Sequence, residues 1–134
     1  MKAAILPILT VAAVLLTGAT SCAPKAGWRC EAAASGVVLF IDPEAAPYAE
    51  VIEQLRAGRF EDLVAAAEAT PGQGVQRRSN GVPNICHKDT TYPKVTEITY
   101  PSRSDRHIGP ILELFYDEQD RLQVAEFGVM LLAP

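Results

Sequence analysis

The sequence predicts an α+β fold in which a short strand, a helical hairpin and a three-stranded antiparallel β-meander form one small domain. Three observations carry that prediction. "GVVLFID" (Gly36 to Asp42) is a β-branched apolar run too short for a helix. Apolar residues from Tyr48 to Ala67 recur at helical spacing on both sides of Gly58. From Val95 onward they alternate, as strands with one buried face require.

The chain starts with a positive Met1-Lys2, an apolar run from Ala3 to Leu16 interrupted by Pro7 and Thr10, and the small residues Thr17 to Ser21. That order is the pattern of an export signal. A membrane-spanning helix, the rival reading, needs about 20 apolar residues, more than this stretch supplies. The expected organisation is a signal over 1–21, a tether over 22–29 and a single domain over 30–134. Without Lys2, the 12 basic residues fall to 11 against 16 acidic ones. Such a balance disfavours nonspecific nucleic-acid binding.

"ATSC" (Ala19 to Cys22) resembles the lipobox of bacterial lipoproteins, with Ala19 where Leu is usual. The resemblance implies that Cys22 is lipidated and that the signal is cut before it. Several acyl chains then anchor the protein firmly. Ala23, in place of the Asp of an inner-membrane retention signal, implies an outer-membrane lipoprotein facing the periplasm. Ordinary cleavage after Ala19 or Ala23, giving a soluble periplasmic or secreted protein, stays open. If Cys22 carries lipid, Cys30 and Cys86 are left as a pair, and an oxidising periplasm permits a disulfide between them. Two separate buried thiols are the alternative.

Within the domain, Asp42 is an N-cap candidate with Pro43 at the first helical position, and Pro47 restarts the helix. Tyr48, Val51, Ile52 and Leu55 share one helical face. Gly58 suits a left-handed C-cap. Phe60, Leu63, Val64 and Ala67 share a face of the second helix, whose first turn carries Glu61 and Asp62, as the helix dipole favours. "TPG" (Thr70 to Gly72) stops it. Pro71 to Lys94 reads as a long loop rich in Gly, Pro, Asn and Ser, a type that is often functional. In the meander, Thr96, Ile98 and Tyr100 share a face, as do Leu112, Leu114 and Tyr116, with Ile111 and Phe115 opposite. Asp117 to Asp120 form the turn. The apolar phase slips between Val124 and Phe127, which predicts a bulge near Ala125-Glu126.

Charge is uneven. Asp42 to Glu68 holds seven acids and two bases, whereas Arg77 to Arg106 holds six bases and three acids. Were the long loop and "PSRSDRHIGP" to meet at one end of the sheet, they would form a basic rim. Its members are Arg77, Arg78, Lys88, Arg103, Arg106 and His107, with Tyr92 as an aromatic anchor. A solvated loop surface is the alternative. His87 and His107 each lie two residues from an acid, Asp89 and Asp105, but neither spacing is diagnostic of a metal site. The serines lack a nucleophile context, and "PGQG" lacks the Lys-Ser/Thr of a phosphate loop. No catalytic residue, metal or cofactor is assigned. Trp28 is expected to pack over the disulfide.

"IEQLRAGRFEDLVAAAEATP", through Ile52, Leu55, Gly58, Leu63 and Pro71, is similar to the helical part of the small outer-membrane lipoproteins of the SmpA/OmlA type. "LELFYDEQDRLQVAEF" is similar to that family's closing hairpin. The resemblance implies the fold shared with β-lactamase-inhibitory proteins, and a fold does not bring a function with it. The expected function is that of a non-enzymatic, membrane-anchored envelope lipoprotein whose loops bind another protein, in assembly, inhibition or immunity. The alternatives are a small periplasmic hydrolase or metal-dependent enzyme using His87, Asp89 and His107, and a structural envelope lipoprotein.

Overall fold

The computed structural model describes residues 28–131 except 80, 82, 104 and 106, and not the side chains of 107, 130 and 131. The predicted leader, Cys22 and most of the tether lie outside the described residues. Six strands form one mixed sheet: β1 (Cys30–Ala32), β2 (Val38–Ile41), β3 (Gly74–Arg78), β4 (Lys94–Thr99), β5 (His107–Tyr116) and β6 (Leu122–Leu131). Their order is β1-β2-β6-β5-β4-β3. All neighbours are antiparallel except β2 and β6, which run parallel.

The fold is α+β, and the sheet is larger than the expected meander. β4, β5 and β6 form that meander, while "GVVLFID" supplies β2 beside its last strand. β3 occupies part of the stretch read as loop. Its burial is low throughout, so "GVQRR" has no alternation of apolar and polar residues to announce an edge strand.

Asp42 accepts the N–H of Glu44 at 2.9 Å and caps a single 3-10 turn, Pro43–Ala45. Helix α1 (Ala49–Arg56) follows Pro47, and Gly58 reverses the chain at φ +78° into α2 (Phe60–Ala69). The helices cover one face of the sheet. Val51 and Leu55 of α1 and Phe60, Leu63 and Ala67 of α2 pack with Leu39, Ile98, Leu112, Leu114, Ala125 and Phe127. Burying one large apolar side chain of this kind contributes about 1.5–3 kcal/mol. Phe127 sits between Tyr48 and Tyr100 in edge-on contacts, with ring centroids 6.0 and 5.7 Å away.

The other face has a smaller core of Tyr92, Val95, Phe115 and Val124, with Val38 and Cys86 beside it. This second core explains the phase slip. Val124 faces one side and Ala125 and Phe127 the other, and pairing runs unbroken from Val124 to Gly128. The bulge lies instead at Gln123, because Phe115 pairs with Val124 but Tyr116 with Leu122. Another irregularity falls at Ile108-Gly109. Gly109 has φ +134°, and a Cβ there would lie 2.5 Å from the Tyr100 carbonyl oxygen. Only glycine fits that approach.

The Cys30–Cys86 disulfide joins β1 to the loop over this second core, with the Cα atoms 5.9 Å apart. Trp28 meets Phe40 edge-on at 5.0 Å beside it.

Candidate functional site

The two basic loops flank β4 and leave it at opposite ends. The loop after Arg78 enters β4 at Lys94, and the Tyr100 to Arg106 loop begins beyond Thr99. Six residues of strand separate them, about 20 Å at 3.3–3.4 Å per residue. Of the described basic residues, Arg77, Arg78 and Lys88 therefore lie on one side of this separation and Arg103 on the other.

Their individual placements are specific. Arg77 and Arg78 are neighbours on β3, so they point to opposite faces. Arg77 donates to Glu68 of α2 at 2.8 Å. Arg78 Nη2 bridges Glu97 and Glu113 at 3.1 and 3.2 Å. Lys88 is exposed in the loop. Tyr92 is buried against Phe115, and its hydroxyl lies 2.6 Å from His87 Nδ1. Burial, then the charge of Asp117, pushes the Tyr92 phenol up. Tyr92 is thus a core residue rather than a surface anchor.

Arg103 locks its own loop. Its guanidinium bonds Glu50 and stacks 4.7 Å from the Tyr48 ring centroid, and its N–H donates to the Tyr48 hydroxyl at 2.8 Å. That hydroxyl donates to the Pro101 carbonyl at 3.1 Å. The guanidinium beside Glu50 holds this carboxyl below its ordinary value. Arg106 lies outside the described residues, and His107 opens β5. Among the described residues no group of three or more His, Cys, Asp or Glu is arranged to hold a metal ion. No described helix is long and apolar enough to cross a membrane.

Two surface features emerge. The first is a cleft of about 470 Å³ where the end of β3 meets the start of β4, lined chiefly by Val64, Arg77, Arg78, Lys94, Tyr116 and Asp120. Lys94 pairs with Asp120 across it at 2.5 Å. Among the described residues β3 bonds only to β4, which leaves the backbone groups along its other side without a described strand partner, and most of its residues are exposed.

The second is a row of glutamates on the face opposite the helices. Glu97 pairs with Glu113, and Glu113 with Glu126, on three adjacent strands. They line a smaller cleft of about 200 Å³ with Phe40, Ile85 and Ile111. Burial raises the Glu113 carboxyl, Glu97 raises it further, and Arg78 opposes both. Burial also raises Glu126, against the pull of the Ile85 and Cys86 amides. Sequence reasoning missed this row, although "VTEITY", "ILELFY" and "VAEFGV" each place one Glu amid apolar residues. That recurrence was the available clue, and it gains meaning only once the register is known.

No protein-family model matches this chain, and no curated protein or solved structure is significantly similar to it.

Proposed function

We propose that this chain is a non-enzymatic envelope lipoprotein, anchored through Cys22, that binds another protein by pairing an extended segment of it with β3. The observation that carries this reading is the β3 edge, which no other described strand covers. An exposed strand edge offers unpaired main-chain donors and acceptors to an incoming strand, and neighbouring pockets take its side chains. Five residues at about 3.4 Å each give a docking edge of roughly 17 Å. The other edge, β1, has three residues and is cross-linked to the loop through Cys30. Arg77 and Arg78 from the anticipated basic set belong to this edge, whereas Arg103 and Tyr92 hold the fold together.

The test is a photo-crosslinking amino acid at Gln76, on the edge, compared with one at Glu118 in the β5–β6 turn. Both positions are exposed. A defined envelope protein captured from position 76 alone supports strand addition. Its capture should weaken when Arg77→Glu is combined with Arg78→Gln. Losing the exposed Arg77–Glu68 pair costs at most about 1 kcal/mol, and far-UV circular dichroism checks that the double variant is folded before its capture is compared. Equal labelling from 76 and 118, or capture insensitive to the charge changes, refutes the reading.

A further inference from the structure

The cleft between the end of β3 and the start of β4 joins two kinds of wall. Val64 of α2 and the half-buried Tyr116 give an apolar side, and Arg77, Arg78 and Lys94 give a basic one. The Tyr116 hydroxyl is hydrogen-bonded to the buried Thr96, which holds the ring in place. The volume of about 470 Å³ lies within the range of small-molecule pockets, roughly 300–1,000 Å³. The three cations are not equivalent. Arg77 is held by Glu68, and Arg78 by Glu97 and Glu113, three glutamates outside the described lining. Lys94 is paired at 2.5 Å with Asp120, which lines the cleft beside it. The two side chains of that pair are 45 % and 72 % exposed. An ion pair so exposed contributes little to stability, so one carboxylate on Lys94 exchanges for another at small cost.

We propose that this cleft binds a monocarboxylate carried on a small apolar body, with the carboxylate taking the place of Asp120 on Lys94 and the body lying against Val64 and Tyr116. The inference goes beyond strand addition at β3 and does not depend on it. The charge count sets the ligand class. Arg77 and Arg78 are answered by their glutamates, so turning Asp120 into water releases one positive charge, at Lys94. A monoanion matches that charge, and a phosphate dianion exceeds it. The apolar wall sets the rest, because a ligand without an apolar body gains nothing from covering Val64 and Tyr116. Asp120 can turn away alone. Its backbone is fixed in the β5–β6 turn at φ 62°, where its N–H donates to the Asp117 carbonyl at 3.1 Å. Rotation about its own side-chain bonds frees Lys94 and leaves that turn as it is. Asp120 is thus a resident competitor for Lys94.

Hydrocinnamate, a carboxylate on an apolar body, is the probe, and hydrocinnamamide is its neutral counterpart. Titrated into the disulfide-bonded protein, the acid should move the Val64, Lys94 and Tyr116 amide signals to saturation in proton–nitrogen correlation spectra, and the amide should not. Two substitutions then act in opposite directions. Asp120→Asn removes the competing charge and should tighten binding about twofold to fivefold. Asparagine tolerates positive φ, so the turn is kept. Lys94→Gln removes the cation and should weaken binding about tenfold. N-acetyl-alanyl-phenylalanine separates two sources of the same chemistry. Tighter binding than hydrocinnamate assigns the site to the C-terminus of a polypeptide, and equal or weaker binding assigns it to a free acid; either supports the proposal. Absence of a saturable shift with hydrocinnamate overturns it, as do equal shifts with the neutral amide. So does unchanged or weaker binding in Asp120→Asn. Neither Lys94 nor Asp120 is on β3, so crosslinking from Gln76 is indifferent to these outcomes and the two proposals can fail separately.

Discussion

Replacing Cys30 and Cys86 by alanine removes a cross-link between residues 56 apart in sequence. Closing a loop of that length takes about 14 cal/mol/K from the unfolded chain, or about 4 kcal/mol at room temperature. Cys86 also packs beside the second core, and trimming its sulfur adds about 1 kcal/mol. The double variant should therefore lose about 5 kcal/mol, a large share of the 5–15 kcal/mol that holds a typical domain together. With a urea slope of about 2 kcal/mol per molar, the unfolding midpoint falls by about 2.5 M. Far-UV circular dichroism follows the transition, and Trp28, the only tryptophan, reports locally beside Phe40. Each single variant already breaks the cross-link, so the second substitution should add about 1 kcal/mol or less. Additive single effects, or an intact mass that gains no hydrogens on reduction, would show that the pair does not act as a cross-link.

Other expectations are independent of the disulfide. The Tyr100 hydroxyl is buried without a hydrogen-bond partner, and burial pushes its pKa up to about 12. Tyr100→Phe should raise stability by about 1 kcal/mol in urea unfolding, and a loss of stability would show that the hydroxyl has a partner after all. Gly109→Ala forces a Cβ onto the Tyr100 carbonyl at positive φ and should cost more than about 2 kcal/mol. Gly128→Ala, with nothing within 4 Å of the added carbon, is the control and should stay within about 1 kcal/mol. Cys22→Ser should abolish incorporation of labelled fatty acid and leave the leader unprocessed. If membrane association and processing survive that change, Cys22 is not a lipid anchor.

Much of the fold was legible because it is written in local chemistry. Asp42-Pro43 caps the turn where its side chain and missing N–H require. Gly58 takes the left-handed conformation between two apolar helical faces. The faces assigned to Thr96, Ile98, Leu112 and Leu114 follow from simple alternation. What escaped is what only the assembled sheet decides. β1 has three exposed residues and no pattern. β3 is recognisable only by its pairing with β4. Where the described members of the expected rim fall is likewise a matter of topology: one strand lies between the loop after Arg78 and the loop that carries Arg103.

The glutamate row shows how little separates a legible pattern from a hidden one. The β5–β6 turn ends with Asp120 at φ 62°, and from there Tyr116 faces Leu122. Continued without interruption, that register would put Ala125 opposite Glu113 and turn their side chains to one face. The whole apolar set of β6 would then be out of phase with β5. The extra residue at Gln123 shifts the strand by one, so Leu114 meets Ala125, Leu112 meets Phe127 and Glu113 meets Glu126. The bulge that keeps the helix-facing core in phase therefore also aligns the carboxylates on the other face. Moving it to Ala125-Glu126, where the apolar pattern alone places it, would interrupt pairing at Glu126 itself. The juxtaposition of Glu113 and Glu126 is thus a consequence of one unpaired residue on β6.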